Sequence, residues 1–363
     1  MESDNRIIRG AITGGPCSGK TTAKTYLQQK FSELGFNVIL VPEAATLAME
    51  GGISPFNIGF TNFQKVIFDL INSLEDNFLN SVKYFPKKDT IIIYDRGLPD
   101  GGAYVSAEEF GSMLRAYNCG MPQIRDLRYD AAFHLRSAAI GAEEFYTLAN
   151  NKTRSEDIDQ ARDLDERTLA MWLGHPHLRV IDNSTPFDKK LKRLYQHMCS
   201  VIGIPAPLEK ERKFLVEPFD VSRYVERYQT IDIEQTYLLN PVPDEELRIR
   251  KWGQNGYYIY FKTRKRKIAP GVRIETEKHI SDHEYATSLG FKIPETKTLC
   301  KNRSFFVHKE QYMEYDAIFG GPHLLEVELT DMSDRLIIPD YIKVIKEVTD
   351  DPLFSNRRLA EAI

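Results

Sequence analysis

Residues 12–27, ITGGPCSGKTTAKTYL, decide how the first half of the chain folds. Within them, GGPCSGKTT at 14–22 meets the spacing G-x-x-x-x-G-K-[ST]. Gly14, Gly19, Lys20 and Thr21 are in register, and Gly15, Pro16, Cys17, Ser18 and Thr22 complete the loop. A β-branched run, RIIRGAIT, leads in, and an amphipathic helix pattern of Ala23, Leu27, Phe31 and Leu34 leads out, with Gly35 as its stop. Glycines let the backbone wrap phosphate oxygens with its N–H groups, and the helix N-terminus adds positive potential. The loop therefore predicts a nucleoside triphosphate, ATP or GTP. Lys20 is expected at the β and γ phosphates and the Thr21 hydroxyl on Mg²⁺.

Working outward, NVILVPE, DTIIIYDRG, RYDAAFHLRS and HLRVIDNS read as strands. Long helical segments separate them, one carrying Phe63, Ile67, Leu70, Leu74 and Phe78 before Pro86. The alternation predicts an α/β domain, a parallel sheet with flanking helices. Asp95 closes a buried strand where a carboxylate can hold the Mg²⁺ shell, and Arg96 follows; a solvated turn pair is the competing reading. Glu43 closes another strand and suits a general base for a hydroxyl acceptor, or equally a helix-starting carboxylate. Arg154 and Arg162 in the charged stretch are candidates for closing on phosphates, against a solvated helix face.

The chain has 363 residues, 42% hydrophobic and 28% charged, with a net charge of -4. That is globular composition for two or more domains, with no bulk positive charge for nucleic acid, so nucleic acid is an improbable partner. The four cysteines are scattered, without disulfide or zinc spacing. No signal core or spanning apolar run is present, which predicts a cytoplasmic protein with peripheral membrane contact left open.

Near Ile202 the texture changes to proline-marked, strand-like runs, which places domains at 1–203 and 204–363. Charges then recur at every second residue. They are Glu209, Glu211 and Lys213; Arg248 and Arg250; Lys262 and Arg264; Arg273, Glu275 and Glu277; Lys301 and Arg303; and Glu326 and Glu328. A closed antiparallel barrel with a charged lumen explains this, and so does a two-layer sheet with one solvated face. In a barrel the acids would hold Mg²⁺ or Mn²⁺ and the bases would clamp a polyanion. The aromatic run YYIYF at 257–261 reads as barrel wall.

The phosphate loop, VPEAAT, NFQ at 62–64, YDRG and VIDNS resemble P-loop ATPases related to nucleoside and nucleotide kinases, and in particular the TRPL translocation defect proteins. That resemblance implies Lys20, Thr21 and Asp95 at the triphosphate and metal, with Glu43 and Arg96 facing any acceptor. The opening ExExK at 209–213 and the late run EVTDDPLFSNRRLA resemble the CYTH family of triphosphate tunnel proteins. This implies an eight-stranded tunnel with Glu209, Glu211, Glu275, Glu277, Glu326 and Glu328 as metal-side carboxylates. Lys213, Arg248, Arg250, Lys262 and Arg303 would form the phosphate clamp. The functions implied are a Mg²⁺-dependent phosphotransferase or phosphohydrolase whose tunnel takes a triphosphate or polyphosphate, or a regulatory nucleotide-binding protein whose tunnel takes phosphoinositides. RNA end processing has thinner support.

Overall fold

The computed structural model describes residues 5–146, 157–204, 208–269, 272–329 and 335–362, and leaves out the side chains of Leu208 and Glu209. The chain divides into two compact units, Met1–Gln196 and His197–Ile363.

The first unit is a five-stranded parallel sheet of β1 (Ile7–Thr13), β2 (Asn37–Val41), β3 (Thr90–Asp95), β4 (Ala131–Leu135) and β5 (Leu178–Ile181), in the order β2-β3-β1-β4-β5. Every residue of β3 and β4 is buried, which is why TIIIYD and AAFHL read as nearly unbroken apolar runs rather than alternating ones. Helices intervene: α1 (Lys20–Glu33), α2 (Ala44–Glu50), α3 (Pro55–Ile58), α4 (Phe60–Ser81), α5 (Ala107–Ala116), α6 (Ile158–Trp172) and α7 (Phe187–Ile202). In register, Asp95 stands beside Ile12, Tyr94 beside Val41 and His134 beside Thr13. The loops after β1 to β4 therefore open along one sheet edge, where such folds bind ligands.

Ala23, Leu27 and Phe31 are buried as their spacing requires, but α1 ends at Glu33 and Leu34 lies half-exposed beyond it. On α4 the buried stripe runs Phe63, Ile67, Phe68, Ile71 and Glu75, leaving Leu70 and Leu74 at its border. Over six turns the 3.6-residue period drifts across a fixed three-or-four spacing, and the core follows the drift.

The second unit is a closed antiparallel barrel of eight strands. They are β6 (Leu208–Val216), β7 (Gln229–Leu238), β8 (Glu246–Gln254), β9 (Tyr257–Ala269), β10 (Val272–Ile280), β11 (Leu299–His308), β12 (Gln311–Ile318) and β13 (His323–Glu328). β10 pairs with the start of β6, closing the ring, and β14 (Val344–Glu347) pairs with the end of β6 beyond that seam. Closure leaves the barrel strands no free edge. Outside, Leu247 and Ile249 pack with Tyr285 of α8 (Asp282–Ser288), while Phe214, Phe306, Leu325 and Val327 form a second apolar layer. At one end of the barrel Tyr237, Leu299, Ile318 and Leu324 gather against Leu359 and Ala360 of α9 (Asn356–Ala362). Among the described residues no helix is long and apolar enough to cross a membrane.

Candidate functional site

The turn between β1 and α1 consumes its own carbonyls. Lys20 Nζ donates to the carbonyl oxygens of Gly14 (3.0 Å) and Gly15 (3.2 Å). Ser137 Oγ donates to Pro16 O at 2.5 Å, Ala138 N to Cys17 O at 3.3 Å, Lys190 Nζ to Ser18 O at 3.3 Å, and Ala23 N to Gly19 O at 3.0 Å. Across a trans peptide the N–H points opposite to the C=O. Fixing the carbonyls of Pro16, Cys17 and Ser18 on one side therefore turns the N–H groups of Cys17, Ser18 and Gly19 to the other, the arrangement that cradles an anion. Gly14 adopts φ +137°, and a Cβ there would stand 2.1 Å from the Leu135 carbonyl oxygen, so no larger residue fits. Burial and the neighbouring Arg96 lower Lys20 to about 8, against the opposing pull of Glu43 and Asp95. Thr21 and Thr22 are exposed in the first turn of α1.

At the end of β3, Asp95 is buried and paired through Oδ2 with the Lys24 ammonium, while Oδ1 is buried with no hydrogen-bond partner among the described residues. Arg96 has a left-handed φ of 71° and sends Nε to Glu43 Oε1 at 2.9 Å; its Nη1 is also buried without a hydrogen-bond partner among the described residues. Burial pushes the Glu43 carboxyl up, but Arg96 and Lys20 outweigh it and hold the group at about 2. Glu43 thereby holds the Arg96 guanidinium in place. Sequence reading missed Asp100, which is buried and accepts from Gly97 N (2.9 Å), Thr13 Oγ1 (2.5 Å) and Trp172 Nε1 (3.0 Å). Those bonds fix the turn that carries Arg96. Arg162 donates to Ala139 O (2.7 Å) and pairs with Asp159 and Glu143, so it is tied to the segment behind the loop. Arg154 lies outside the described residues.

In the barrel, strand alternation puts charge inside. Lys213 lies 2.7 Å from Glu326, and Glu211 pairs with Arg273. Arg248 reaches Glu275 at 3.2 Å, Lys265 reaches the same carboxylate at 2.9 Å, and Arg250 pairs with Glu277. Arg303 is surrounded by Glu314, Asp316 and Glu326. Burial raises the carboxyls of Glu211, Glu275 and Glu326, yet Lys213 or Lys265, with arginines beyond, hold all three below the usual carboxylate range. Glu314 goes the other way: burial outweighs Arg303 and pushes it up to about 7. Toward one end the charges give way to aromatic rings, Arg250 lying over Trp252 (5.3 Å) and Phe261 (5.6 Å).

Two expectations change. Lys262 is not in the clamp: it stands on the outer face and pairs with Glu284 of α8 at 3.4 Å, while Phe261, Thr263 and Lys265 of the same strand face inward. The run KTRKRK is basic on both parities, so composition could not choose the face. Nor do the acids form a ready metal cage. Among the described residues no three metal-ligating side chains converge, because the lumen carboxylates are ion-paired. Glu328 stands in register with Glu211, and the Glu209 side chain lies outside the description. Glu314 and Asp316 were missed although QYMEYDAI spaces them by two, the same signal used on the other strands.

Residues 9–190, half of the chain, match the family described as AAA domain. The chain belongs to that family. No curated protein matches it. Among solved structures it is similar to the inorganic triphosphatase NE1496, at 27% identity over 43% of this chain and 95% of that one, with a TM-score of 0.32. It is also similar to the PH1819 protein from Pyrococcus horikoshii OT3, at 24% identity over 37% of this chain and 80% of that one, with a TM-score of 0.29.

Within the AAA domain, the buried unpartnered Asp95 Oδ1 and the Thr21 hydroxyl fit a hard cation such as Mg²⁺. In the barrel the corresponding carboxylates are engaged by bases, Glu326 by Lys213 and Glu211 by Arg273. Lys262→Ala should leave the affinity for tripolyphosphate within about twofold, because an outer pair contributes little. Lys265→Ala, inside the lumen, should weaken it at least about tenfold by titration calorimetry.

Proposed function

We propose that the chain is a phosphohydrolase or phosphotransferase with two polyphosphate sites. The loop at residues 14–22 binds ATP or GTP with Mg²⁺, and the barrel lumen binds and cleaves the triphosphate group of a second ligand. One observation supports this reading: two unrelated architectures in one chain each bring buried basic side chains beside carboxylates, Arg96 on Glu43 near Lys20 at the loop, and Lys213, Arg248 and Lys265 on Glu326 and Glu275 in the lumen. A triphosphate carries about four negative charges, and its hydrolysis needs those charges balanced in a water-poor site.

In the lumen, water attacks a terminal phosphorus, the bridging P–O bond breaks, the electron pair leaves on the departing phosphate oxygen, and the proton lost by the water passes to a phosphate oxygen or to solvent. Arg248, Arg250, Lys213 and Lys265 are placed to stabilise charge on the non-bridging and leaving oxygens. Thr21 and Asp95 at the loop, and Glu211 and Glu326 in the lumen once a polyphosphate had engaged their bases, would hold Mg²⁺ or Mn²⁺, which would supply Lewis-acid neutralisation of phosphate charge.

The test follows phosphate release from ATP, GTP and inorganic tripolyphosphate in wild type, Lys20→Ala and Glu211→Ala. Loss of tripolyphosphate hydrolysis in Glu211→Ala alone, with nucleotide binding lost in Lys20→Ala alone, is expected. Unchanged release by a folded Glu211→Ala would remove the lumen from catalysis. A wild type that binds nucleotide and releases nothing would make the protein a binding switch, to be tried next against vesicles containing phosphoinositides.

A further inference from the structure

The phosphate loop is gripped from behind by two buried charges on later helices. Asp165 of α6 has no solvent exposure and takes donors from three directions. Its Oδ1 accepts from Gly15 N at 2.8 Å and Ser137 N at 2.9 Å; its Oδ2 accepts from Arg136 Nη1 at 3.0 Å and lies 3.2 Å from His134 Nε2. The carboxylate stands so close that a Cβ on Gly15 would fall 2.8 Å from it. A side chain at position 15 would therefore collide with Asp165. Lys190 of α7 is buried too; its Nζ donates to Ser18 O (3.3 Å), Arg136 O (2.7 Å) and Asn183 Oδ1 (2.6 Å). Burial lowers it to about 8, the cost of holding an ammonium there.

We propose that Asp165 and Lys190 are positioning residues that set the phosphate loop in its anion-binding shape, one fixing the N–H of Gly15 and the other the carbonyl of Ser18. Both bonds act on backbone groups three residues apart, on opposite sides of Pro16 and Cys17. With the two ends fixed, the intervening peptides cannot rotate their N–H groups away from the ligand side. Arg136 joins the two, since its guanidinium meets Asp165 and its carbonyl meets Lys190. Asp165→Asn keeps the shape but turns an amide N–H toward Arg136 or a backbone donor; Lys190→Met keeps the stem and removes all three donated bonds. Neither side chain touches phosphate in this account, so both act through the loop.

The inference rests on the nucleotide reading, and Cys17 separates the two. Cys17 is a half-buried thiol at φ 56° inside the loop, and Cys300 is a half-buried thiol in the barrel. The experiment measures ATP and GTP affinity with Mg²⁺, and peptide-mapped alkylation rates of both thiols, in wild type, Lys20→Ala, Asp165→Asn and Lys190→Met. Each positioning variant should bind at least about tenfold more weakly. Each should also raise the Cys17 rate roughly fivefold while the Cys300 rate stays put, since only the loop is released. A wild type that binds through Lys20, with both variants binding and labelling as wild type, overturns the inference and leaves the nucleotide reading standing. A wild type that binds no nucleotide removes that reading, and the Cys17 rate still decides whether the pair shapes the loop. If Asp165→Asn fails to fold, Lys190→Met decides; equal acceleration at both thiols means general destabilisation and overturns the proposal.

Discussion

Lys20→Met is expected to abolish practical nucleotide binding, costing about 2–5 kcal/mol, or roughly 30-fold to several thousand-fold in Kd, because a buried charge-assisted contact to phosphate is lost. The ammonium donates to the carbonyls of Gly14 and Gly15 and to Ser18 Oγ, so engaging a phosphate exchanges neutral acceptors for charged oxygens. The same geometry sets a pH dependence. Burial lowers Lys20 from 10.5 to about 8, so above pH 8 the free protein increasingly carries a neutral amine. Nucleotide affinity should fall as pH rises through 8, through Lys20 at the phosphates and Lys190 behind the loop, and Lys20→Met should keep only the Lys190 part of that limb. Stability moves the other way. Between pH 8 and 10.5 the unfolded chain binds more protons at this residue than the folded one, so the Lys20 contribution to stability rises with pH. Fluorescent-nucleotide titrations from pH 6.5 to 9.5 measure the binding limb. A flat profile, or a Lys20→Met variant that binds like wild type, would contradict the assignment.

What the sequence made legible follows from how local each feature is. The phosphate loop is nine contiguous residues whose types are dictated by backbone shape, so it can be read without a fold. The strand charges were readable wherever one parity was charged and the other apolar, as at Arg248-Ile249-Arg250. At residues 262–267 both parities are basic, and the face is chosen by long-range pairing: Lys262 meets Glu284 outside, and Lys265 meets Glu275 inside. Asp165 was beyond reach for another reason. It sits among Asp157, Asp159, Asp163 and Glu166, and nothing local marks the one carboxylate that the fold brings to Gly15, 150 residues away. Lys190 is similarly hidden beside Lys189 and Lys192.

Arg303→Met should produce the largest loss of stability in the barrel. Arg303 donates to both oxygens of Asp316 at 2.6 Å and also pairs with Glu314 and Glu326, all in a lumen where Asp316 has no exposure. Removing one partner from a buried network leaves charge unpaired and costs about 3–5 kcal/mol, whereas an exposed pair such as Lys267 with Asp350 contributes about 0–1 kcal/mol. Lys301, at 2.5 Å from Asp316, and Lys213, on Glu326, cannot cover the deficit at Glu314. The deficit should depend on pH. Burial already pushes Glu314 up to about 7 against the pull of Arg303, and without Arg303 it rises further. Carboxyls raised above their unfolded values bind more protons in the folded state, so stability falls as pH climbs through the folded values. The variant should therefore be nearest wild type around pH 5 and furthest from it above pH 7. The chain has two tryptophans, Trp172 in the first unit and Trp252 in the lumen, so a Trp172→Phe background reports urea unfolding of the barrel alone. An unchanged urea midpoint at pH 8 would mean that the charges around Arg303 contribute no net stability. Nucleotide binding at the phosphate loop should survive Arg303→Met at pH 7.5, which distinguishes a local loss in the barrel from collapse of the whole chain.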